Sequence, residues 1–354
     1  MKRKILCLFS AVLFLCLCSC SASDSSTLSI EIDENDQNDF TYADNFFIPP
    51  TPEAYEYTFK SRSVTVDKLG TMVDAFFGDN TYSSGKTEEI ERFDDGWYWC
   101  LSDHSASANL FTNGHYHLHD NKNSYSNYFT DIKIDEEKGW FTEGRLIYEN
   151  EYDDTNITFA DEEYTVASLS DSVLEKYSVC NKALGYDIEI KPLYTMVYRD
   201  ANDSNVFAVM YFCLKEGDVV FRAVNLDPFA DKEWTRDKPT TVYTATAFGT
   251  DHIEDLEAGE IIDELTKGQK LQIMSCQDAI NQADEWLNQK AAHATLRYAQ
   301  LEYTPIHQDS LTGIMTAQPC WALYYITDED IEGVLFVDAQ TGKIRNNYLS
   351  EIEY

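Results

Sequence analysis

His115, His117 and His119 stand at alternate positions in the run His115-Tyr-His117-Leu-His119-Asp120. On a β-strand that spacing turns all three imidazoles to one side. Neutral imidazole is a common ligand of zinc and copper, and Asp120 or a water would complete such a site. Same-side neighbours on a flat strand lie about 6.5–7 Å apart, so three ligands for one ion need a bulge or a turn. The competing reading, which that spacing favours, is a polar, solvent-facing strand side opposite buried Tyr116 and Leu118. Trp97 and Trp99 also share one side of a strand, in Gly96-Trp-Tyr-Trp-Cys100. Exposed, they make a platform for a sugar ring or a peptide. In a chain with 23 Tyr and 19 Phe, packing against a helix is the commoner use of such a pair.

Asp103-His104-Ser105 places triad residue types side by side. A working triad converges from separate elements, so adjacency reads as a surface turn. The chain has no G-x-S-x-G elbow, no H-E-x-x-H, no P-loop and no dinucleotide glycine fingerprint. With 62 acidic residues, composition singles out no carboxylate pair for acid/base work. No cofactor is implied.

Three apolar stripes at helical spacing precede strand-like segments. Ser275 with Asp278 three residues on resembles a capping box, and Ala279, Ile280, Ala283, Trp286 and Leu287 follow at helical spacing. Strand-like runs follow at 295–304, 319–326 and 333–337, and Asp338-Ala-Gln-Thr-Gly-Lys343 closes a hairpin whose Gly342 suits a positive φ. In 319–326, Cys320, Ala322, Tyr324 and Ile326 alternate with Trp321, Leu323 and Tyr325. One helix covers one face only, so a second set must meet another part of the chain or a partner. Trp321 and Tyr325 are the candidate binding residues there.

The middle stretch has the same order. Ser170 is read as the cap of a helix with Val173, Leu174, Tyr177 and Leu184 on one face, stopped by Gly185. Strand-like runs follow at 186–197, 206–214 and 219–226. Earlier, Val66, Leu69, Met72, Val73 and Phe76 are helically spaced before Gly78, with strands expected at 90–100, 110–118 and 128–134. The pattern predicts an α+β fold of two or three units, each a helix on an antiparallel sheet.

The final unit, above all Gly333-Val-Leu-Phe-Val-Asp-Ala-Gln-Thr-Gly-Lys-Ile344, resembles the closing hairpin of PepSY-type domains. The whole chain is similar to uncharacterised lipoproteins of Gram-positive gut bacteria. The first resemblance implies a domain that binds or restrains other proteins outside the cell and carries no catalytic residues. At the N-terminus, Lys2, Arg3 and Lys4 precede an apolar run from Ile5 to Leu17, the layout of a secretory signal too short to span a bilayer. Leu17-Cys18-Ser19-Cys20 resembles the bacterial lipobox, which implies cleavage before Cys20 and a diacylglyceryl group on its thiol. The alternative is a soluble secreted protein cut near Ala22.

The formal charge of −35 at pH 7 opposes nucleic-acid phosphates and anionic headgroups. Cys100, Cys180, Cys213, Cys276 and Cys320 form no disulfide framework and read as buried thiols. The expected organisation is a signal peptide over 1–19 and a lipidated acidic tether over 20–52, disordered by its composition. An aromatic-rich α+β region over 53–160, a middle unit over 161–262 and a PepSY-like unit over 263–354 follow. The expected function is a non-catalytic module that binds or regulates a protein or peptide of the cell envelope. It is held on the outer face of the membrane by its lipid anchor and takes no nucleic acid. The alternative is a hydrolase or metalloenzyme with its site near His104 to Asp120.

Overall fold

Each of the three apolar stripes forms a helix in the computed structural model. It describes residues 40–348 apart from 62, 79–87, 94, 103–104, 121–141, 188, 201, 217–218, 222–242, 260–261, 289–292, 309–311, 313 and 328–331. The signal segment, Cys20, His104 and the strand expected at 128–134 lie outside the described residues. Helix α1 spans Asp67–Phe77, α2 Val166–Leu184 and α3 Cys276–Asn288. The capping box of α3 is reciprocal: Asp278 N–H donates to Ser275 Oγ at 3.1 Å, and Ser275 N–H to Asp278 Oδ2 at 3.3 Å. Helix α2 starts a turn earlier than its sequence suggests. Thr165, not Ser170, is the cap, its Oγ1 accepting from Ser168 N–H, and Ser170 is buried inside the helix.

The expected α+β units are corrected by the sheet. The fold is mostly β, and among the described residues seventeen strands join in one hydrogen-bonded mixed sheet. One limb is a nine-strand antiparallel array. It runs in the spatial order β3 (Glu88–Phe93), β4 (Gly96–Leu101), β5 (Ala106–Phe111), β6 (Tyr116–Asp120) and β14 (His252–Ala258). It continues through β13 (Tyr243–Gly249), β11 (Asn205–Glu216), β10 (Glu189–Arg199) and β7 (Thr142–Tyr148). The second limb runs β19 (Ile344–Tyr348), β18 (Glu332–Asp338), β17 (Met315–Thr327), β16 (Ala294–Gln308), and then β1 (Phe40–Tyr42), which lies parallel to β16. Between the limbs, β2 (Ala54–Ser61) pairs with both β15 (Ile262–Leu271) and the start of β17. The short β12 (Val219–Phe221) pairs with β11 and bridges to β16. A separate hairpin, β8 (Asn156–Phe159) with β9 (Glu162–Thr165), leads into α2.

Pairs β6–β14 and β7–β10 cross the limit between expected units at 160/161, and pairs β2–β15 and β2–β17 cross both it and the limit at 262/263. No helix-plus-sheet unit closes on itself, because each leaves a strand edge that another completes. The last part of the stretch expected as a tether belongs to the folded body. Phe40 is buried against α3, with its N–H donating to Asp284 Oδ1 at 3.0 Å.

Packing puts the two limbs face to face with helices outside. Helices α1 and α2 cover one side of the nine-strand limb, where Leu69, Met72, Val173 and Tyr177 meet Tyr116, Leu118, Phe212 and Leu256. The other side, at β7, β10 and β11, packs Tyr148, Leu193 and Cys213 on Tyr298, Cys320, Tyr324 and Phe336 of the second limb. Helix α3 closes the far face of that limb over Trp321, Leu323, Tyr325 and Leu335. Both alternating sets of β17 are therefore internal, which explains its continuous apolar run.

Candidate functional site

Alternation on β6 turns His117 and His119 to one side, as Tyr116 and Leu118 point into the core under α2, and His115, just before the strand, reaches the same side through Glu257. What they face comes from β14. Cross-strand pairs place His119 opposite Asp255 and His117 opposite Glu257. The antiparallel ladder holds such partners within side-chain reach. His117 Nε2 lies 3.1 Å from Asp255 Oδ1, and His119 Nδ1 meets the same oxygen. His115 Nε2 lies 3.1 Å from Glu257 Oε1, and its ring stacks on Phe111 with centroids 4.8 Å apart. The rings of His117 and His119 are 6.2 Å apart, as same-side neighbours on a strand should be. Two imidazoles thus converge on one carboxylate, while the third belongs to a separate pair. Asp120 is not in the group of converging donors; Asp255 takes the place foreseen for it.

Burial acts on Asp255 most strongly and raises its carboxyl. The hydrogen bonds and charges of His117 and His119 together outweigh burial and bring it to about 2, against an ordinary 3.8. Glu257 is lowered chiefly by its hydrogen bond to His115. Because the folded value of Asp255 is depressed, its contribution to stability is present above about pH 4 and is lost as pH falls towards 2. Asp255→Asn is expected to remove about 2 kcal/mol of that acid-sensitive stability. Urea midpoints near pH 6 and near pH 2.5 measure it: the parent loses more between the two than the variant does. Equal losses would refute this reading of Asp255.

The same side of the sheet continues outward from β14. Register places Asn109 beside His117 and Tyr98 beside Asn109, with Ser107 beside His119. On the inner side, Thr244 and Thr246 stand opposite Glu257 and Asp255. All of these side chains are half-buried. One side of the nine-strand limb is thus aromatic where the second limb covers it and polar from β13 to β4.

The aromatic candidates are corrected by burial. Trp99 is buried and stacks on Phe77 of α1, at 5.7 Å between centroids, while Trp97 packs half-buried on the same core. Trp321 and Tyr325 lie under α3 at 0% and 2% exposure. Tyr325 sits over Gly333 on β18, where an added Cβ would come within 2.5 Å of its ring. None of the four forms an open platform. Asp255 and Glu257 escaped the sequence reading; their only signal was the alternation Asp255-Leu-Glu257. All five cysteines beyond Cys20 are free and buried, as read, and burial pushes the Cys180 and Cys276 thiols up to about 12.

A layered, mostly β fold with a histidine–carboxylate face defines the class of architecture. An uncharacterised protein from Eubacterium rectale ATCC 33656, solved by crystallography, has a similar fold. The TM-score is 0.52 at 10% sequence identity, over 82% of this chain and 86% of that one. At that identity the likeness concerns the fold alone. No family model matches the chain, and no curated protein matches it.

Proposed function

We propose that the chain is an extracytoplasmic lipoprotein, anchored through Cys20 to the outer face of the cell membrane. Its folded body is a non-catalytic module that takes a cell-envelope protein or peptide on the polar side running from Tyr98 to Glu257. The observation that carries this reading is the change along one side of the nine-strand limb. Aromatic residues there are sealed by the second limb, whereas His115, His117, His119, Asp255 and Glu257 stay partly accessible beyond it. Half-buried polar groups held by a rigid ladder suit recognition, since their positions are fixed before a ligand arrives.

Anchoring and binding have separate tests. Cys20→Ala is expected to release the protein from membranes, because a diacylated terminus buries enough methylenes for stable attachment. Mass spectrometry of the mature N-terminus reads this directly, and an unmodified terminus beyond Cys20 would end the lipoprotein reading. For binding, a photo-crosslinking residue is placed at Asn109 or Tyr98, and as a control at Lys182 on the exposed side of α2. In native envelopes the face positions should capture one discrete product that the control does not. Equal products at all three positions, or none, would reject the face.

A further inference from the structure

We propose that His117, His119 and Asp255 form a binding site for a divalent transition-metal ion of the zinc class. This rests on the same face as the function proposed above and names a ligand for it. The three donor atoms lie within 4.8 Å of one another, on two adjacent strands joined by ladder pairs. A tetrahedral zinc with bonds of about 2.0–2.2 Å places its ligand atoms about 3.3–3.6 Å apart. The 3.1 Å between His117 Nε2 and Asp255 Oδ1 is close to that separation. Two imidazole nitrogens and one carboxylate suit zinc and its transition-metal neighbours, whereas calcium and magnesium take sets made of oxygen.

His117 remains 40% exposed at its side chain, which leaves a coordination position towards solvent for water or a donor from a partner. In the ion-free protein both imidazole nitrogens hydrogen-bond to the same oxygen, Asp255 Oδ1, and an ion at this point would use the same three donor atoms. His115 is outside the site, because its Nε2 is held by Glu257 and its ring by Phe111. The strand spacing that argues against three histidines on one ion is met by taking two from β6 and the third ligand from β14.

The test uses purified full-length protein without a polyhistidine tag, stripped with EDTA and titrated with zinc chloride by calorimetry. One equivalent should bind. His117→Ala and His119→Ala should each weaken binding about tenfold or more, and His115→Ala should change it less than about twofold. Zinc should also raise the melting temperature of the parent and of His115→Ala, but not of the double variant His117→Ala/His119→Ala. Circular dichroism confirms that each variant is folded; if Asp255→Asn is not, the histidine variants carry the test alone. No retained zinc, undiminished binding in the double variant, or an equal loss in His115→Ala would overturn the site. Repeating the crosslinking in EDTA separates the two proposals. Capture by a protein that binds no zinc rejects the metal and keeps the face; one zinc bound with no capture rejects the partner and keeps the site.

Discussion

Trp321→Ala is expected to lower the stability of the folded body by about 3–5 kcal/mol, the usual cost of truncating a buried aromatic residue. Trp321 lies in the middle of β17 with no exposed surface, among Ala279, Ile280, Leu296, Leu323, Leu335 and Val337. Its indole N–H donates to Met274 O at 3.1 Å, and Met274 N–H donates in turn to Ala339 O at 2.8 Å. The ring therefore ties the lead-in of α3 to the sheet below it. Alanine would leave a cavity beneath the helix and take away that carbonyl's donor, two penalties of the same sign. Trp286, on the apolar stripe of α3 itself, is the instructive contrast. The stripe alone suggests it as the anchor, yet it is only half-buried at the rim, so Trp286→Ala should cost about 1–2 kcal/mol. Urea denaturation of the two variants gives the comparison. If Trp321→Ala unfolds at the parent's midpoint, α3 does not depend on this face for its packing.

Local features were legible in the sequence because their causes are local. A helix needs a stripe every three to four residues and a cap at each end, and Ser275, Asp278 and Gly185 supply such signals within one turn. The sheet was not legible, since a strand's partner is chosen by burial and not by distance along the chain. His117 and Asp255 are separated by 138 positions, and neither run names the other. Alternation alone showed that the histidines share a side; it could not show that β14 would place two carboxylates between them. The same limit explains the misread units. Helix followed by strands is visible three times, but β17 carries apolar residues on both faces, and the cover for the second face comes from β7, β10 and β11. The assignment of Trp321 and Tyr325 to a binding surface failed at this point: both faces are filled from within the chain.

Tyr324→Ala is the matching test of the layer between the limbs, with an expected loss of about 3–5 kcal/mol. That loss corresponds to a melting temperature lower by about 10 °C, on the scaling for domains of this size. Tyr324 points from β17 to the side opposite Trp321 and meets Tyr148 of β7 at 5.5 Å and Tyr194 of β10 at 6.2 Å between centroids. Its neighbour on β16, Tyr298, lies at 5.8 Å. These rings join strands far apart in sequence, so their packing holds the two limbs together. The phenol also makes a polar contact. Its hydroxyl donates to Glu302 Oε1 at 2.8 Å, an oxygen that accepts from Gln300 Nε2 at the same distance. Glu302 is fully buried, and a polar side chain so placed depends on its hydrogen-bond partners. Tyr324→Phe keeps the ring and removes one donor. It should cost about 1–3 kcal/mol, the range for taking one donor from a buried acceptor, with Gln300 keeping it towards the lower end. Phe costing less than half as much as Ala would show that the ring contacts carry most of the effect; equal costs would assign it to the hydroxyl. If Tyr324→Ala falls within about 1 kcal/mol of the parent, well short of that expected loss, the limbs do not meet through these tyrosines.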